Sequence, residues 1–92
     1  MKRTVKLIIS GAVQGVGYRQ TLYHFIHQNY LNVKGYVKNL SNGNVEAVFQ
    51  GDLQDIRQIE KFCFRTEPPI DVTHIEKLLV DDKEYESFDI KY

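Results

Sequence analysis

The sequence lacks the features that mark several common classes of protein. Cys63 is the single cysteine, so the chain cannot form an internal disulfide, and a zinc site built from paired cysteines is excluded. Twelve basic and twelve acidic residues cancel to a formal net charge of zero, which leaves no overall field to draw the chain onto a nucleic-acid backbone or an anionic membrane. Any binding site for an anion must therefore be local.

Long apolar runs are missing as well. The N-terminal segment contains only the run Leu7-Ile8-Ile9, which is far shorter than the apolar core of a signal peptide or the roughly 20 residues of a membrane-spanning helix. The composition, with 42% hydrophobic and 26% charged residues, is typical of a folded domain rather than a disordered chain. We expect one domain over residues 1–92, and a cytoplasmic, monomeric protein that binds neither membranes nor nucleic acid.

Short periodic segments separated by turn signals predict five strands and two helices. The strands are expected at residues 4–9, 34–40, 45–49, 72–80 and 87–90, and the helices at residues 18 to about 30 and from Asp52 to a point before Pro68. The Ser41-Asn42-Gly43-Asn44 turn joins the second and third strands, because Asn-Gly is a hairpin signal. Asn32 is a plausible stop for the first helix, Asp52 is a natural N-cap for the second, and residues 81–86 read as a polar turn.

The predicted order is β-α-β-β-α-β with an extra short C-terminal strand. Two interleaved right-handed β-α-β units give an antiparallel sheet with two helices on one face, which is the ferredoxin-like α+β sandwich. This fold hosts enzymes, RNA-binding modules and regulatory domains alike, so it does not identify a function. The function must be inferred from the sites.

The most informative segment is the glycine-rich stretch GAVQGVGYR at residues 11–19, which runs from the first strand into the first helix. The start of a helix presents unpaired backbone N–H groups and the positive end of the helix dipole, and glycines allow those groups to turn inward around an anion. Arg19 adds a planar cationic fork. The spacing matches neither a mononucleotide loop nor a dinucleotide fingerprint. The alternative is a tight crossover with a solvated arginine.

Two motifs together resemble the acylphosphatase family. The first is Gly11-Ala12-Val13-Gln14-Gly15-Val16-Gly17-Tyr18-Arg19, and the second is Gly35-Tyr36-Val37-Lys38-Asn39 followed by Gly43, Val45 and Gly51. The resemblance covers the whole chain, including the predicted order of strands and helices. Tyr18 stands where the family usually has phenylalanine, and its ring can pack beneath the loop while its hydroxyl reaches a partner.

The resemblance implies a small enzyme that hydrolyses acyl phosphates to a carboxylate and inorganic phosphate, with no metal or organic cofactor. It implies that Arg19 and Asn39 are catalytic, with Asn39 positioning the attacking water. The implied phosphate-binding residues are Val13, Gln14, Gly15, Val16, Gly17, Tyr18 and Arg19. Neither motif contains an evident nucleophile or strong base, which agrees with a reaction that depends on positioning and charge stabilisation.

Three other interpretations can be considered. A non-catalytic module that binds acyl or carbamoyl phosphate would keep the same site, although a free chain of this length favours an enzyme. An RNA-binding module is suggested by Lys34-Gly35-Tyr36, but the exposed aromatic pair that stacks bases is missing from the positions that follow. A metal site at His24 and His27 lacks further ligands, so we expect packing or surface roles for these histidines.

Overall fold

A computed structural model of the chain describes residues 2–64, 67–80 and 83–92. It contains five strands and two helices within those residues. These are β1 (Lys2–Ala12), α1 (Tyr18–Asn29), β2 (Lys34–Asn39), β3 (Val45–Asp52), α2 (Leu53–Phe64), β4 (Asp71–Leu79) and β5 (Phe88–Lys91). The predicted element order is therefore confirmed. The expected polar turn begins at two positions, 81 and 82, that lie outside the described residues.

The sheet has the strand order β4-β1-β3-β2-β5. The pairs β4–β1, β1–β3 and β3–β2 are antiparallel, whereas β5 runs parallel to β2 and pairs Lys91 with Lys38. The sheet is therefore mixed, and the short C-terminal strand extends it at the edge next to β2. Strand β5 also lies against α1.

Both helices pack on the same face of the sheet. Alternation along the strands sends every second side chain to that face, where it meets the apolar stripe of a helix. The strands contribute chiefly Val5, Leu7, Ile9, Val37, Val45, Ala47 and Phe49, and the helices contribute Tyr18, Leu22, Ile26, Ile56, Ile59 and Cys63, all of them buried. The predicted ferredoxin-like sandwich is confirmed.

The opposite face of the sheet is crossed by the segment that leads into β5. Gln50 is 2% exposed, and its side-chain amide donates to the Thr4 hydroxyl at 2.9 Å and to the Lys83 carbonyl at 2.6 Å. Its side-chain oxygen accepts from the Tyr85 backbone amide at 3.2 Å. The buried Gln50 amide therefore holds this segment against the sheet through two of its residues, Lys83 and Tyr85.

Turn chemistry explains the ends of most elements. The Asn42 side chain accepts from the Asn44 amide at 3.0 Å in the hairpin, and the Asp52 side chain accepts from the Gln54 amide at 2.9 Å at the start of α2. The expectation for Asn32 was wrong. Every positive φ in the described chain belongs to a glycine, and α1 ends instead where the Tyr30 amide donates to the Ile26 carbonyl at 2.7 Å.

Strand β1 is longer than the predicted residues 4–9. A bulge between Ser10 and Gly11 shifts the register, after which Gly11 and Ala12 pair with Val72 and Asp71 of β4. Gly11 has a φ of 127°, and a Cβ there would collide with the Asp71 carbonyl oxygen. The glycine that suggested the end of a strand therefore permits its continuation, and the loop begins only after Ala12.

Candidate active site

The loop between β1 and α1 turns sharply at two glycines. The Val13 amide donates to the Gly11 carbonyl at 3.0 Å, and the Val13 side chain is buried in the core. Gly15 and Gly17 have φ values of 73° and 83°, in the left-handed region that glycine adopts without a steric cost. Gly17 is also the N-cap of α1, and it provides no side chain to cap the helix.

The backbone amides of residues 14–20 form an unpartnered row. None of them donates to a protein acceptor within the described chain, and the first bond of the helix is from the Thr21 amide to the Gly17 carbonyl at 3.0 Å. The first turn of α1 also contains no acidic side chain to neutralise the positive end of its dipole. Successive free N–H groups at a helix start form a site suited to an anion.

Gln14 anchors the loop to the hairpin between β2 and β3. Its side-chain amide donates to the Leu40 carbonyl at 2.7 Å and to the Asn44 carbonyl at 2.8 Å. Both carbonyls flank the Asn-Gly turn, directly after β2 and directly before β3. The loop is therefore held beside the end of β2, where Asn39 lies.

Tyr18 anchors the other end of the loop from below. Its ring is 2% exposed, and its hydroxyl donates to the Cys63 backbone carbonyl at 3.1 Å, which joins the start of α1 to α2. Burial, with a smaller contribution from Cys63, raises the pKa of the Tyr18 hydroxyl far above its ordinary value. The expected packing beneath the loop is confirmed, and the hydroxyl is a donor rather than an acid.

Arg19 reaches across to β5. One guanidinium nitrogen, Nη1, donates to the Lys91 carbonyl at 3.3 Å, and the guanidinium carbon lies 4.9 Å from the centre of the Tyr92 ring. Lys91 pairs with Lys38, the residue before Asn39. The pairing of β5 with β2 therefore brings the residue that Arg19 contacts next to the strand that ends at Asn39.

Asn39 ends β2, paired with Val45. Its side-chain oxygen Oδ1 is buried, yet it has no hydrogen-bond partner among the residues that the structure describes. A buried acceptor without a partner costs free energy, so most such groups in proteins are satisfied. The Oδ1 atom of Asn39 is therefore an available acceptor beside the loop.

Contacts with the hairpin, α2 and β5 hold Gln14, Tyr18 and Arg19 of the predicted site, and Asn39 lies at the end of β2. The Val13 amide was expected to bind phosphate, but it donates to the Gly11 carbonyl instead, so the free amides begin at Gln14.

Two contacts were not predicted. Gln14 was expected to contribute only its backbone amide, whereas its side chain anchors the loop. The contacts of Arg19 with the Lys91 carbonyl and the Tyr92 ring were not expected, because neither group forms part of a sequence motif. His27 contacts the Phe88 carbonyl at 3.0 Å, and the described residues contain no group of three or more His, Cys, Asp or Glu side chains suited to a metal ion.

Comparison with known proteins gives one consistent result. A family model described as Acylphosphatase matches residues 5–90. An acylphosphatase from Vibrio vulnificus is 37% identical over 89 residues, covering 96% of each chain. The crystal structure of an acylphosphatase from Bacillus subtilis superimposes with a TM-score of 0.88 at 27% identity, covering 100% of both chains.

The chain is also similar to part of a larger protein. A probable carbamoyltransferase HypF from Methanocaldococcus jannaschii is 38% identical over 93 residues, which are 100% of this chain but only 12% of that protein. Similar sequences therefore occur both as small proteins and within a much longer one.

Proposed function

The chain belongs to the acylphosphatase family and is an acyl-phosphate hydrolase, and we propose that the loop amides from Gln14 onward form its active site with Arg19 and Asn39. The observation that carries this proposal is the row of unpartnered amides at residues 14–20. A dianionic phosphoryl group placed there would accept several of these N–H groups at once and would face the positive end of α1.

Arg19 supplies the charge. A guanidinium has five N–H donors, and the bond to the Lys91 carbonyl occupies only one of them. The remaining donors can contact two phosphoryl oxygens in a planar fork, while the Lys91 carbonyl and the Tyr92 ring limit the directions in which the side chain can turn. The arginine is thereby oriented before the substrate arrives, so less conformational freedom is lost on binding.

Asn39 positions the attacking water. Its unpartnered Oδ1 can accept a hydrogen bond from a water molecule beside the loop, and so point a lone pair of that water at phosphorus. The water oxygen bonds to phosphorus as the bond between phosphorus and the acyl oxygen breaks, and the electron pair leaves on the carboxylate. The water proton passes to a phosphoryl oxygen, in keeping with a loose transition state that needs little help from a base.

Hydrolysis of benzoyl phosphate in the presence of a metal chelator tests the proposal. We expect catalytic release of inorganic phosphate that the chelator does not change, with added inorganic phosphate acting as a competitive inhibitor. Saturable binding of benzoyl phosphate without turnover would show a binding module instead. Turnover that the chelator abolishes would contradict a site made of amides, an arginine and an asparagine.

The similarity to HypF favours a second candidate function. Because that protein is named a probable carbamoyltransferase, the present site could act on carbamoyl phosphate within a larger assembly. The carbamoyl group is small and polar, so the rates with carbamoyl phosphate and benzoyl phosphate discriminate between the two functions. We place acyl phosphates first because the Vibrio vulnificus acylphosphatase matches over 96% of its own length.

We propose that residues 1–92 act as one acylphosphatase domain in a cytoplasmic monomer that does not bind nucleic acid, and the zero formal net charge supports the last point. Neither of the two described helices is long and apolar enough to cross a membrane. Sedimentation of the purified protein and its retention on an RNA column test these expectations.

A further inference from the structure

A groove of about 380 Å³ lies directly beside the phosphate loop. Val16 of the loop, Thr21 of α1, Phe62 of α2 and residues 67–70, which lead into β4, form its walls. Val16 therefore belongs to both features, because its backbone N–H is one of the unpartnered loop amides and the residue itself lines the groove. The groove has a volume within the range of small-molecule sites, and it shares Val16 with the phosphate loop.

The strand order places this groove opposite Asn39. The loop leaves β1, and Asn39 ends β2, which is two strands away through β3. Ile70 precedes β4, which pairs with β1 on its other side, as Ala12 with Asp71. Since neighbouring strands are about 4.8 Å apart, β2 with Asn39 lies about 10 Å from β1 on one side, and β4, which follows Ile70, lies about 5 Å from β1 on the other.

This placement matters because phosphoryl transfer keeps the attacking and leaving oxygens roughly in line through phosphorus. A water molecule at Asn39 attacks from the β2 side, so the leaving carboxylate points towards the β4 side. We propose that the groove beside Val16 and Thr21 binds the acyl group of the substrate, an inference that rests on the proposed function. It deepens that function by naming a substrate class.

The chemistry of the walls identifies the class as acyl phosphates with an apolar, preferably aromatic, acyl group. Val16, Phe62 and Ile70 provide apolar surface, and the Phe62 ring is already stacked on Phe25 with centroids 3.8 Å apart, which fixes its orientation. Glu67 is exposed at the groove and would repel an acyl group that carries a second carboxylate. An acetyl group is too small to reach most of these walls.

Thr21→Trp tests the inference, because Thr21 is exposed and a larger side chain there can fill the groove. We expect the ratio of kcat/KM for benzoyl phosphate to that for acetyl phosphate to fall about tenfold. Gln28→Trp is the matched control, since Gln28 is exposed two turns further along α1 and does not line the groove. It should leave the ratio unchanged. An unchanged ratio in Thr21→Trp would overturn the inference.

Glu67→Gln gives a second, independent readout with butyryl phosphate and succinyl phosphate, which differ mainly in the second carboxylate. The wild-type chain should prefer butyryl phosphate, and Glu67→Gln should narrow that preference about two- to fivefold at low ionic strength, as expected for an exposed charge pair. Glu76→Gln on β4, also exposed but outside the groove, should not change it. An unchanged preference in Glu67→Gln would refute the role of the carboxylate in selecting the acyl group.

The outcomes separate this inference from the proposed function. If both benzoyl and acetyl phosphate are hydrolysed but neither Thr21→Trp nor Glu67→Gln alters selectivity, the groove is not the acyl site and the phosphate site stands. If neither substrate is hydrolysed, the proposed function fails and the inference fails with it.

Discussion

Replacement of Asn39 by alanine should separate catalysis from stability. The Oδ1 atom of Asn39 is buried and has no partner in the described part of the chain. An unsatisfied buried acceptor typically costs about 1–3 kcal/mol, so its removal should not lower the free energy of unfolding. The attacking water, in contrast, would lose the group that orients it. The loss of one positioned polar contact in a reacting site commonly lowers kcat by about 10²–10³, or about 2.7–4 kcal/mol.

The assay has three parts: kcat for benzoyl phosphate, the inhibition constant of inorganic phosphate, and the midpoint of thermal unfolding, Tm. For Asn39→Ala we expect kcat to fall by about 10²–10³, phosphate inhibition to persist, and Tm to hold or rise. Phosphate inhibition persists because the loop amides and Arg19 remain in place.

Asn42→Ala is the matched control. Asn42 lies three residues further along the same hairpin, and its side chain accepts from the Asn44 amide at 3.0 Å. Loss of such a bond should cost about 1 kcal/mol, which lowers Tm by about 4–8 °C in a domain of this size, while kcat is kept. If Asn39→Ala lowered Tm in the same way and kept its kcat, the unpartnered oxygen would be structural and the reasoning refuted.

Three further predictions concern the supports of the site. Gln14→Ala should raise both KM and the phosphate inhibition constant, because the loop loses its bonds to the Leu40 and Asn44 carbonyls; unchanged constants would contradict this anchoring role. Gly15→Val should cost about 1–2 kcal/mol of stability and weaken phosphate binding, because φ is 73° although space is open for a Cβ; Gly43→Val, with φ of 95° in the hairpin, should show the strain with phosphate binding retained. Burial raises the pKa of the Cys63 thiol from 9.0 to about 12. The contribution of the neutral thiol to the free energy of unfolding is therefore fully present below about pH 9 and is lost towards pH 12, by about 1.4 kcal/mol per pH unit. Between these pH values the free energy of unfolding should fall less steeply in Cys63→Ala, and an equal slope would show that the thiol is not involved.

Local signals were sufficient to predict most of the fold. The Asn-Gly turn, the Asp52 cap and the periodic apolar residues each act within a few positions along the chain, so they are visible in the sequence. Features that depend on contacts between distant residues were not visible. The parallel pairing of β5 with β2 and the bulge that carries β1 through Gly11 both depend on a partner strand, and local propensity favoured neither.

The same distinction applies to the site. The glycines and the arginine of the loop could be predicted because they all lie within the short segment of residues 11–19. The carbonyls that hold Gln14 and Arg19 could not, since every residue has a carbonyl and only the fold decides which of them is reached. The unpartnered state of the Asn39 oxygen is likewise a property of packing, although the motif had already pointed to this residue.

The central claim, that Arg19 and the loop amides hold the phosphoryl group, is tested most directly by benzoyl phosphate turnover in Arg19→Ala and Arg19→Lys. Arg57→Ala, an exposed arginine on α2, is the control for loss of one positive charge. We predict that Arg19→Ala loses about 10³-fold or more in kcat/KM together with phosphate inhibition, and that Arg19→Lys recovers little because a point charge cannot replace the fork. Near-normal turnover and phosphate inhibition in Arg19→Ala would contradict the account.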